Sequence, residues 1–91
     1  MLWNDDGKCI ASNLVSLRVS KCQLHELGPQ IGSLSQLQDM DLSHNLISQL
    51  PYDFFLLSQL RVIDLTDNRL ETLSPKIQRL YKLEELSLAH N

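Results

Sequence analysis

Leu37-Gln38-Asp39-Met40-Asp41-Leu42-Ser43-His44-Asn45-Leu46-Ile47 returns 23 residues later as Leu60-Arg61-Val62-Ile63-Asp64-Leu65-Thr66-Asp67-Asn68-Arg69-Leu70. The frame extends outward in both directions. Leu14, Leu37, Leu60 and Leu83 share its first position, and Leu17, Met40, Ile63 and Leu86 its fourth. Val19, Leu42, Leu65 and Leu88 share the sixth; Cys22, Asn45, Asn68 and Asn91 share the ninth. Later apolar columns run through Leu24, Ile47 and Leu70, through Leu27, Leu50 and Leu73, through Ile31, Phe54 and Ile77, and through Leu34, Leu57 and Leu80. A period of this length marks stacked repeats, because no single unit of the kind can bury its apolar face alone. The frame divides the chain into units 14–36, 37–59, 60–82 and a truncated 83–91. Residues 1–13 fall outside it, since Asn4, Lys8 and Ala11 stand where Leu, Ile and Leu belong. They read as an N-terminal cap, or as a degenerate repeat with Leu2 and Ile10 inward.

Each unit combines two local patterns. Residues 37–43 alternate apolar and polar near their end, which argues a strand. Strands are therefore predicted near 17–19, 40–42, 63–65 and 86–88. Farther on, Ser74 is placed to cap and Pro75 to take the first position of a short helical or 3-10 turn. Gly28-Pro29 and Pro51-Tyr52-Asp53 hold the same place in the earlier units. Stacking then gives an α/β right-handed solenoid. Its parallel strands lie about 4.8 Å apart on the concave side, with the short helical segments on the convex side. The ninth column follows its own logic. Where the chain turns inward after the strand, its backbone groups need partners, and an amide carries two donors and an acceptor. Asn45, Asn68 and Asn91 are expected to form such a ladder, with a small buried thiol, Cys22, tolerated on its first rung.

The spacing LxxLxLxxNxL, read as Leu37, Met40, Leu42, Asn45 and Ile47 and again as Leu60, Ile63, Leu65, Asn68 and Leu70, resembles the leucine-rich repeat family. The likeness covers residues 14–91. The 23-residue length and the following LPxxIxxL-type stretch are similar to the short intracellular class of that family, which includes Ras-suppressor-like proteins, polarity scaffolds and leucine-rich-repeat kinases. The resemblance implies Asn or Cys at the ninth position. It carries no particular activity, because the same solenoid hosts many functions.

Composition narrows the function. The net charge of −3 and pI near 5.4 would repel a phosphate backbone, so nucleic acid is not an expected partner. No apolar run approaches the roughly 18 residues of a membrane span, so no insertion is expected. Met1-Leu2-Trp3 leads into Asn4, Asp5 and Asp6, without the basic start of a secretory signal, and a cytoplasmic location is expected. Gly7, Gly28 and Gly32 lack phosphate-loop spacing, and no cofactor or metal is expected. Cys9 and Cys22 read as free thiols.

The outward residues between the core columns define the candidate binding face: Arg18, Asp39, Asp41, His44, Asp64, Asp67 and Glu85. Asp41 and Asp64, on adjacent strands, are expected to hold their carboxylates about 5 Å apart. Such a pair is able to do acid–base work or hold a cation, but solvated surface carboxylates are the stronger reading. Reversing both to lysine is expected to leave folding nearly intact. His44 and His90 share a column two units apart, about 10 Å, too far for one metal ion, and they read as solvated. The overall expectation is a non-catalytic protein-interaction module of an intracellular scaffold or signalling protein, binding a protein partner through the concave face. The alternatives are a regulatory or substrate-binding arm of a larger enzyme, such as a kinase or ubiquitin ligase, or a receptor ectodomain fragment. The stop at Asn91, within the fourth unit, reads as a fragment of a longer array.

Overall fold

A computed structural model of the chain describes residues 13–91. The cap or degenerate repeat at 1–13, the inward placing of Leu2 and Ile10, and the state of Cys9 lie outside them, Asn13 excepted. Four short strands, β1 (Ser16–Arg18), β2 (Asp39–Asp41), β3 (Val62–Asp64) and β4 (Glu85–Ser87), alternate with three 3-10 segments, η1 (Pro29–Ser33), η2 (Tyr52–Leu56) and η3 (Pro75–Arg79). The strands form one parallel sheet in the order β1-β2-β3-β4. Ser16, Asp39, Val62 and Glu85 stand side by side, so each strand is displaced from the last by one sequence period.

The strands begin one residue earlier than the sequence predicted. The apolar pair at the fourth and sixth positions drew that expectation toward the turn, whereas the paired residues flank the fourth position. The ladder nonetheless continues past the strands. The N–H of Val19 donates to the Asp41 carbonyl at 2.8 Å, Leu42 N–H to Asp64 at 2.8 Å, and Leu65 N–H to Ser87 at 2.9 Å. His44 N–H and Asp67 N–H then reach Thr66 and Ala89 in the same way, each at 2.8 Å.

Opposite the sheet, each return segment turns for a local reason. Pro29 and Pro75 occupy the start of η1 and η3, where a missing N–H costs nothing. Ser74 Oγ accepts from the Lys76 N–H at 3.2 Å, closing the start of η3. Between the two layers lies the core. Leu34, Leu37, Leu42, Ile47, Phe54, Leu57, Leu60 and Leu65 are completely buried. Phe55, outside the apolar columns, is also buried and meets Phe54 edge-to-face with ring centroids 5.6 Å apart. The first and last units bury less: Leu14, Leu17 and Val19, and likewise Leu83, Leu86 and Leu88, are only partly covered. A solenoid unit owes its stability to its neighbours, and the inner units have two.

The concave face as candidate functional site

The sheet's outward side is a shallow concavity of about 350 Å³ lined by Ser16, Arg18, Asp39, Met40, Asp41, Val62 and Asp64. Strand alternation sends Leu17, Met40, Ile63 and Leu86 toward the core and their neighbours outward. Arg18, Asp39 and Glu85 are exposed, and Asp41 and Asp64 are half-buried.

Asp41 and Asp64 are not loose surface carboxylates. Asp41 Oδ1 accepts from the Ser43 hydroxyl at 2.6 Å and the Ser43 N–H at 3.0 Å, and Arg18 Nε lies 3.4 Å from its other oxygen. The Ser43 side-chain and backbone hydrogen bonds, helped by Arg18 and His44, hold the Asp41 carboxyl below its ordinary range against the opposing effect of burial. Asp64 Oδ1 accepts from the Thr66 N–H at 2.9 Å. Each carboxylate thus fastens the turn after its own strand. The expectation that both tolerate reversal to lysine is corrected accordingly, because lysine would leave those N–H groups without their acceptor. Serine or threonine two residues after the aspartate (Asp41-Leu42-Ser43, Asp64-Leu65-Thr66) is the sequence signal for this turn.

His44 and Asp67, one unit apart in the eighth column, meet with Nδ1 and Oδ2 at 2.9 Å. His44 is therefore paired, not simply solvated, and His90 stands one unit beyond Asp67. The whole column, Lys21, His44, Asp67 and His90, has left-handed backbone with φ between 56° and 59°. The sequence reading missed this, since no glycine marks it. Aspartate and histidine, which adopt that region more readily than most residues, were the available signal.

Beneath the turns runs the asparagine column. Asn45 Nδ2 donates to the Val19 carbonyl of the preceding unit at 2.7 Å and to Leu42 of its own at 2.9 Å, while its Oδ1 accepts from Cys22 and Leu24 N–H, both at 3.0 Å. Asn68 repeats the pattern toward Leu42, Leu65 and Ile47 at 3.0, 3.1 and 3.1 Å. Asn91 does so toward Leu65 and Leu70 at 2.8 and 3.0 Å. Each amide binds its own unit to the one before. Cys22 departs from the expectation: it is exposed and free, and its thiol only donates to its own Ser20 carbonyl at 3.1 Å. A single weak donor does not bridge two units as the asparagines do.

At the rim, Arg61 and Glu84 form an exposed ion pair through Nε and Oε2. Among the described residues, no three His, Cys, Asp or Glu side chains converge as a metal-ligand group, and no helix is long and apolar enough to cross a membrane. What the arrangement offers is a rigid lattice of charge, basic at Arg18 and Lys21 and mainly acidic across the next strands.

Comparison with known proteins gives this lattice its relatives. The profile of the leucine rich repeat family matches residues 12–70 and 35–91. Over 46 residues, half of the chain, the sequence is 54% identical to leucine-rich repeat and fibronectin type-III domain-containing protein 4 of Rattus norvegicus, 7% of whose length is covered. Over 78 residues, 85% of the chain, it is 36% identical to platelet glycoprotein Ib alpha chain of Mus musculus, 10% of whose length is covered. Among solved structures, an LRR protein of Leptospira interrogans superposes with a TM-score of 0.74 at 28% identity, over 81% of this chain and 21% of that one. The chain therefore spans a tenth or less of these curated relatives.

Proposed function

The chain belongs to the leucine-rich repeat family, and from that premise we propose that it is a non-catalytic protein-interaction module of an intracellular scaffold or signalling protein, binding its partner through the concave strand face. The observation that carries this reading is the fixed array of outward side chains on the sheet. Arg18, Asp39, His44, Asp67 and Glu85 project from backbone locked by the ladder and by the buried asparagines, so little order has to be gained on binding. Charges so arranged favour specificity and fast encounter.

The test is affinity purification from cells with the chain in its full-length protein. Asp39→Lys with Glu85→Lys alters the concave face without touching a turn, and Gln78→Ala alters the convex side. Proteins retained by wild type and by the convex variant, but lost with the concave pair, support the reading. Loss with the convex variant alone moves the site to the other surface.

A further inference from the structure

One stretch of the convex side, at the end of the 60–82 unit, carries charge opposite in sign to that of the molecule as a whole. Lys76, Arg79 and Lys82 follow one another at intervals of three along and just beyond η3. In a 3-10 helix residues three apart eclipse, so Lys76 and Arg79 stand on one line about 6 Å apart. One and two units earlier the same columns hold Asp53 and Gln30, Leu56 and Ser33, and Gln59 and Gln36. The three cations are therefore a feature of the 60–82 unit and not of the repeat.

Their partners are neutral. Arg79 Nη1 donates to the Tyr52 hydroxyl at 2.9 Å, and Lys76 Nζ lies 3.9 Å from the centre of the Tyr52 ring. Lys82 Nζ donates to Gln59 Oε1 at 2.7 Å. Among the described residues the ion pairs are Arg18–Asp41, His44–Asp67 and Arg61–Glu84, so none of these three cations has a carboxylate at ion-pair distance. Tyr52 and Gln59 hold the cationic groups in place without neutralising them. Beside them Tyr52 and Leu56, each 48% exposed, and Tyr81, 71% exposed, add apolar surface to the stripe.

We propose that Lys76, Arg79 and Lys82, positioned by Tyr52 and Gln59, form a second docking surface on the convex side for an extended acidic segment of a partner protein. Alternate side chains of an extended peptide lie about 6.5–7 Å apart. That spacing is close to the interval of about 6 Å between Lys76 and Arg79, and the residues in between face away from the stripe. A nucleic acid fits less well. Its charge continues at every nucleotide past the short stripe and over a surface whose net charge is −3, whereas the charge of an acidic peptide ends where the stripe ends. The stripe is independent of the concave reading, since the two faces share no residue.

The experiment is fluorescence anisotropy of the chain with a short labelled peptide of alternating glutamate and valine. Its glutamine analogue and a labelled oligothymidylate serve as the other arms. Wild type is expected to bind the glutamate peptide, to lose it with rising salt, and to ignore the glutamine analogue. Lys76→Glu with Arg79→Glu should weaken binding about tenfold or more, as should the milder Lys76→Gln with Arg79→Gln to a smaller extent. Tyr52→Phe, which keeps the ring but releases the guanidinium, should weaken it about two- to threefold. The concave pair Arg18→Glu and Lys21→Glu should leave it unchanged, whatever becomes of the concave site. Equal affinity for the glutamate and glutamine peptides, loss caused by the concave pair alone, or tighter binding of oligothymidylate than of peptide would overturn the proposal.

Discussion

Left-handed backbone at Lys21, His44, Asp67 and His90 lets the chain leave each strand and turn beneath it. Such a conformation costs an ordinary L-residue about 1–2 kcal/mol, and Lys21 is an exposed residue there with φ 56°. Glycine removes that strain but gains freedom in the unfolded chain. Lys21→Gly should therefore stabilise by about 0.5–1 kcal/mol, read as a higher urea midpoint. A different residue does the opposite. Asn68→Ala removes an acceptor from the Ile47 N–H and donors from two carbonyls, all in buried surroundings, and should cost about 2–3 kcal/mol or more. Asn91→Ala, at an exposed position, should cost distinctly less by the same denaturation assay. Asp41 adds a dependence on pH. Its folded carboxyl is held below its usual range, so its stabilising bonds are complete above about pH 4 and are lost as pH falls through the depressed folded value. Asp41→Asn should narrow the gap between unfolding midpoints measured at pH 7 and pH 3. Equal gaps in the two proteins would show that Asp41 is not the group responsible.

Elements differ in how openly the sequence announces them. The 3-10 segment at 75–79 was legible because Ser74 and Pro75 act through local chemistry, a cap and a preset φ. Strand existence was legible for the same reason that it is stable: apolar side chains at the fourth position recur on one face. Strand bounds were not, since they depend on which backbone groups pair across units, and the sixth-position residues lend only their N–H groups to the ladder, one step past the last residues in register. The turn bonds of Asp41 and Asp64 were hidden by their charge, which suggested a free surface group. Gly32 shows another constraint set between elements. It lies in η1 with ordinary backbone geometry, but a Cβ there would stand 3.1 Å from the Asp53 carbonyl oxygen and 3.2 Å from its Cβ. The glycine serves close approach to η2 and not a turn. Gly32→Val should destabilise by about 1–3 kcal/mol through forced separation of η1 and η2, checked by thermal unfolding. An unchanged midpoint would mean that the two segments slide apart without loss.

At the scale of the whole molecule, stability is distributed along one axis. Leu60 has units on both sides and is fully buried, whereas Leu83, in the same column, is only partly covered. Leu60→Ala should cost about 2–5 kcal/mol, and Leu83→Ala clearly less, by chemical denaturation. Equal costs would contradict nearest-neighbour stacking. The same axis explains what the period revealed and what it left open. Columns fix which residues face inward, because burial is common to every unit. They do not fix pairing specific to one place, such as Arg79 with Tyr52 or His44 with Asp67, which arises from side chains that differ from unit to unit.

The asparagine bonds also have a direction. Asn45 closes the turn that holds Cys22 and Leu24, Asn68 serves the turn at Ile47, and Asn91 the turn at Leu70. Every such bond points back toward the N-terminus. A ribosome therefore releases each turn before the amide that completes it, and the newest unit of a growing chain is always the one still waiting. Synthesis and closure run the same way, like a zip drawn by its own manufacture: nothing already emerged needs to be undone, and a pause in translation leaves one open turn and not many.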